Sequence, residues 1–155
     1  MSPARRPKPA ARIWSIGYAG HAIGSFVDAL KAARIETLAD IRERPISRKK
    51  GFSKNVLRGH LEAAGLEYVS LPWLGAPKPV RDAYHQADDV AAFHRAYGRH
   101  LDRHPEAVAD IAALARQKRV VMMCLEQDAA ECHRAVLEKR LAADGFRVIH
   151  LSQAG

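Results

Sequence analysis

The chain has 155 residues, 48% hydrophobic and 27% charged, with a net charge of +8 at pH 7, a length and mix that suit one globular domain with a real core. No apolar run reaches the length of a membrane span and no signal-peptide stretch opens the chain, so the cytoplasm is the expected location. There, Cys124 and Cys132 are expected as reduced thiols rather than a structural disulfide.

Residues 1–12 are rich in Pro, Ala and Arg. They carry Arg5, Arg6, Lys8 and Arg12 with no acid, and predict a disordered basic arm before a single domain over 13–155. IWSIGYA reads as a first strand. Gly17, Gly20 and Gly24 then punctuate a loop that holds His21, and their spacing is not the dinucleotide-binding fingerprint. Ser25 with Asp28 reads as a capping box for a helix whose stripe is Phe26, Val27, Leu30 and Ala33. TLADIR is a second strand, ending in Asp40 and Arg42. Between Arg42 and Arg58, the cations Arg42, Arg44, Arg48, Lys49, Lys50, Lys54 and Arg58 face Glu43 alone. Such a loop predicts contact with nucleic acid or a phosphorylated ligand, a solvated surface loop being the plain alternative.

Ser53 is placed to cap a helix with inner face Val56, Leu57, Leu61 and Ala64, closed by Gly65. LEYVSLP is a third strand. The stretch from Trp73 to Gln86 shows no clear period, and Trp73, Leu74 and Tyr84 make it an ordered lid in expectation. Val90, Phe93, Tyr97 and Leu101 mark another helix. A further helix opens at Pro105, with Val108, Ile111, Ala112 and Ala115 inside. VVMMCLE is apolar throughout and predicts the central strand. Asp128 and Glu131 suggest a capping box for the last helix, and FRVIHL is a fifth strand. The alternation predicts an α/β fold: a single domain, a mostly parallel sheet of about five strands, helices on both faces.

The chemistry gathers at strand ends. Cys124 and Glu126 close the fourth strand, and Cys132, His133 and Arg134 follow in the first turns of a helix. His133 shares a stripe with Leu137 and Leu141, which faces the core, while Arg134 points towards Glu138 and is expected to be more exposed. Glu126 is the natural hydrogen-bond partner for the imidazole. Asp40, Arg42 and His21 end or follow neighbouring strands, and ligands of open α/β sheets bind at such carboxyl ends. Three readings stay open: a thiol nucleophile at Cys124 or Cys132, a metal held by the cysteines and His133, or a buried polar network. The metal spacing matches no standard zinc motif, so no metal and no cofactor is predicted. His60, His85, His94, His100, His104 and His150 are expected as surface or packing residues.

SIGYAGHAIGSFVDAL, LADIRERPISRKKGFS, LEYVSLPWLG and MMCLEQDAAECHR resemble successive blocks of a prokaryotic family, domain of unknown function 488, over about residues 13–151. The resemblance marks Asp40, Arg42, Pro45, Glu126, Cys132, His133 and Arg134 as motif positions. That family's first block often reads G-H-S, where this chain has G-Y-A-G-H-A around His21. It implies a fold and a pocket without implying a reaction. A D-x-R at one strand end and a strand ending in Cys124 also look like rhodanese-type sulfurtransferases, although the short glycine-and-arginine loop of those enzymes is replaced here by LEQDAAECHR.

The leading expectation is an enzyme acting on a nucleic-acid or nucleotide-like, phosphate-bearing ligand. Glu126, Asp40, His133 and Cys132 would be its catalytic groups. Arg42, Arg44, Arg134, His21 and Cys124 would bind the ligand, and Arg48, Lys49, Lys50 and Lys54 would contact nucleic acid. The alternatives are sulfur transfer at Cys124 or Cys132, and a non-catalytic nucleic-acid-binding module.

Overall fold

A computed structural model describes residues 11–125 and 133–151. Five strands form one sheet: β1 (Ala11–Gly17), β2 (Thr37–Asp40), β3 (Glu67–Ser70), β4 (Val120–Cys124) and β5 (Phe146–His150). Their order is β3-β2-β4-β1-β5, and every neighbouring pair is parallel. The apolar run VVMMC is the central strand, as its sequence implies, and all five residues are buried. β1 begins at Ala11, so the first strand takes in two residues that composition assigned to the basic arm.

Alternation along the strands sorts the core onto two faces. Trp14, Ile16, Leu38, Val121 and Met123 face α1 (Ile23–Ala32) and α2 (Lys54–Ala63), which contribute Phe26, Leu30, Leu57 and Leu61. Ile13, Ala39, Val120 and Met122 face the other way, onto α4 (Val90–Arg103), α5 (Pro105–Gln117) and α6 (Arg134–Ala143). Each fully buried Leu or Phe in these layers contributes about 1.5–3 kcal/mol. The helices are therefore on both faces.

Several local expectations need correction. Ser25 does not cap α1: the helix starts after Ala22, and Ser25 Oγ donates back to the Ala22 carbonyl at 3.0 Å. Ser53 does occupy the N-cap of α2, but its hydroxyl serves the basic loop instead of the helix. It accepts from Ser47 N–H at 2.9 Å and donates to Ser47 O at 3.0 Å, closing the loop on itself. Val56 is 52% exposed and lies outside the inner face of α2. The segment from Trp73 to Gln86 is ordered, and most of it is helical: a 3-10 turn over Pro72–Leu74, then α3 (Lys78–Ala87). The proposed capping pair Asp128 and Glu131 lies outside the described residues. Among the described residues no helix is long and apolar enough to cross a membrane.

Candidate functional site

β2 runs into α2 on one face of the sheet, while its neighbour β4 leads towards α6 on the other. α2 and α6 therefore lie on opposite faces, and the carboxyl ends of β2 and β4 between them are the usual ligand position in open α/β sheets. A cleft of about 540 Å³ occupies this place. Its walls come from the strand ends (Tyr18, Arg42, Glu43, Arg44, Cys124), from the start of α6 (His133) and from α3 (Arg81, Tyr84, His85). Ile46 and Leu125, 66% and 46% exposed, form apolar lips.

Arg42 lines the cleft, and Asp40 lies behind it, outside the lining. Asp40 is fully buried, and both of its oxygens are engaged twice. Oδ1 accepts from the backbone N–H and Nε of Arg42 at 3.1 and 2.8 Å; Oδ2 accepts from Arg42 Nη2 at 2.7 Å and Tyr68 Oη at 2.6 Å. Arg42 also donates to the Phe52 carbonyl at 2.7 Å, and its guanidinium lies 5.3 Å from the Tyr18 ring centre. Burial alone would lower the Arg42 pKa, but the bonds to Asp40 and its charge raise it above the ordinary value, so the side chain is a permanent cation. Asp40 thus holds Arg42 in one orientation at the cleft surface.

Tyr68 has its pKa raised, first by burial and then by donating to Asp40. Its phenol keeps its proton in the folded state at a pH where the unfolded chain has lost it, near 10. The folded state then binds more protons than the unfolded one, so stability falls as pH rises through that window. Tyr68→Phe is expected to flatten the decline in melting temperature between about pH 9.5 and 11, with loss of about 1 kcal/mol at neutral pH for the missing bond. An unchanged alkaline slope would refute this coupling.

His133 is the N-cap residue of α6 and is 9% exposed. Its Nε2 lies 3.2 Å from the Ile41 carbonyl, and its ring stands edge-on to Tyr97 at 5.0 Å. A carbonyl only accepts, so Nε2 carries a proton here. The stripe with Leu137 and Leu141 is as the spacing implies, both leucines being fully buried.

Arg134 overturns an expectation. It is 1% exposed, and its Nη1 donates to Ser15 Oγ at 2.6 Å beneath β1. It lies three and seven residues before the buried Leu137 and Leu141, which puts this first-turn side chain on the sheet-facing side of the helix.

His21 is also buried, edge-on to Phe26 at 5.6 Å, and it is not part of the cleft wall. Its pKa is lowered by burial and then by the charge of Lys49, which keeps the ring neutral. Arg48, Lys49 and Lys50 lie on the loop and Lys54 at the start of α2, all beyond the cleft lining. Glu126 and Cys132 lie outside the described residues. Among the described residues no group of three or more His, Cys, Asp or Glu side chains is placed to hold a metal.

Sequence reasoning missed Arg81 and His85. They sit four apart on α3 and project towards the same cleft. Arg81 is tied to Glu43 at 2.8 Å, which fastens α3 to the end of β2. The available signal was Val80 followed four residues later by Tyr84, too short a stripe to stand out among the surrounding prolines.

A family model described as domain of unknown function DUF488 matches residues 22–141. No curated protein and no solved structure matches the chain.

Proposed function

The chain belongs to the DUF488 family, and from that premise we propose that its cleft binds a nucleotide-like, phosphate-bearing ligand and moves a proton on it. The observation that carries this reading is the charge of the lining. Arg42, Arg44, Arg81, His85 and His133 meet in one cleft with Glu43, and Glu43 is already paired with Arg81. Guanidinium groups bind phosphate oxygens bidentately. The apolar surface of Ile46, Leu125, Tyr84 and Phe93 beside them suits a flat heterocycle.

In this reading Arg44 and Arg42 take the phosphate, with Arg42 held in place by Asp40. His133, its Nε2–H on the Ile41 carbonyl, is the side chain of the cleft suited to move a proton. Glu126 and Cys132 remain expectations from sequence as its acid–base companions. Sulfur transfer at Cys124 has less support, because the residue is only 2% exposed while reactive thiolates need access.

The test is calorimetric titration of the protein with adenosine monophosphate and with adenosine, in wild type and Arg44→Glu. Arg44 is exposed, so the substitution spares the core. Preference for the monophosphate in wild type is expected, with a loss of about tenfold or more in the variant, the value of a charge-assisted hydrogen bond. Equal binding of both compounds, or an unaffected variant, would overturn the reading.

A further inference from the structure

At the opposite end of the sheet, where the strands begin, lies a second depression of about 640 Å³. Five of its lining residues are cations, Arg12, Arg116, Lys118, Arg119 and Arg147, against Glu36. Two of the five are explained by the fold. Lys118 pairs with Glu67 at 3.0 Å. Arg119 donates to the carbonyls of Arg34 and Ala33 at 2.9 and 2.8 Å and stacks on Trp14 at 4.3 Å, while its backbone N–H donates to Glu36.

Arg12, Arg116 and Arg147 are different. All three are exposed, and none has a carboxylate partner among the described residues. Arg116 lies over the Phe146 ring at 5.0 Å and Arg12 beside the Trp14 ring at 5.4 Å, so each guanidinium is steadied by an aromatic ring. Arg12 and Arg147 are in register on adjacent strands β1 and β5. Strand alternation puts both on the face of Trp14, and neighbouring strands are about 4.8 Å apart. Like charges placed side by side destabilise a sheet. The fold gains nothing from this pair, and an anion bridging the two would reverse the sign of the interaction.

The cations are strung along β5, β1 and the last turn of α5, a helix end whose dipole repels anions. That is an open track and not a closed cup for one phosphate. We infer that this groove binds the sugar–phosphate backbone of a nucleic acid, without reading its sequence, at the end of the sheet remote from the cleft. The inference rests on the register pair and is independent of the ligand proposed for the cleft.

The test is fluorescence anisotropy of a labelled single-stranded 20-mer with the full chain, across a salt series. It compares wild type, the double variant Arg12→Glu/Arg147→Glu and a loop control, Arg48→Glu/Lys50→Glu. Each phosphate contact on a single strand contributes about −0.7 to the slope of log K against log salt, so the groove variant should flatten that slope by about 1.4. Its affinity at low salt should fall about tenfold or more, against a smaller loss for the loop control. The single variant Arg12→Glu separates function from folding: it turns the like pair into an ion pair and should raise the melting temperature while weakening binding. Absence of binding at low salt, a groove variant equal to wild type, or stronger dependence on the loop control would overturn the inference. So would wild-type binding to vesicles of anionic phospholipid with no binding to the oligonucleotide.

Discussion

Asp40→Ala is expected to lower the stability of the protein by about 3–5 kcal/mol, the cost of stranding a buried cation. Arg42 would keep its bond to the Phe52 carbonyl but lose its counter-ion and the two bonds its guanidinium donates to the carboxylate, and Tyr68 would lose its acceptor. For a domain of this size each kcal/mol moves the melting temperature by roughly 2–4 °C, so a fall of about 6–20 °C is anticipated. The double variant Asp40→Ala/Arg42→Leu should recover much of the loss, because removing both charges leaves no unpaired ion. A double variant no more stable than the single one would show that the pair acts through something other than charge.

Gly75→Ala has the second large effect, for a steric reason. Gly75 has φ −79° and ψ 152°, a conformation open to any residue. A Cβ there would lie 2.1 Å from the backbone nitrogen of Glu43 and 2.8 Å from the carbonyl carbon of Arg42. These are main-chain atoms just past β2, and they cannot swing aside as a side-chain tip could. The expected loss is about 1–3 kcal/mol or more, typical of overpacking. It should be accompanied by weaker binding of the cleft ligand, since Arg42, Glu43 and Arg44 must shift together. Thermal melts and the adenosine monophosphate titration read the two effects separately. Retained stability and retained affinity together would show that the contact is not a close one. Gly65 is the contrast: its φ is +83°, but a Cβ there would meet open space, so its cost is conformational alone.

The strands were legible because their apolar runs are long and uninterrupted. VVMMC could be placed at the centre from composition alone, and D-x-R could be placed at a strand end. Arg42, Arg44, Cys124 and His133, all placed at or after strand ends from sequence, line one cleft. What escaped depends on geometry that a linear pattern does not carry. Arg134 sits three and seven residues before Leu137 and Leu141, beside the stripe led by His133, and only its bond to Ser15 across the sheet shows that this flank is buried too. Arg81 and His85 were hidden because α3 packs few apolar residues and reads as loop. The opposition of Arg12 and Arg147 exists only because β5 lies next to β1, and nothing in either segment announces that pairing.

The strand order also bears on how the chain is made. β1 has neighbours on both sides, β4 and β5, and both lie near the far end of the sequence: Trp14 aligns with Val121 and Ile149. At about 5–20 residues per second, a first strand leaving the ribosome waits roughly 5–20 s for a partner. β2 and β3 can meet much earlier and form a nucleus without it. Trp14, Ile16 and Ile13 are thus the residues exposed longest during synthesis, and the cationic stretch immediately before them gives the nascent segment a charge that opposes its self-association.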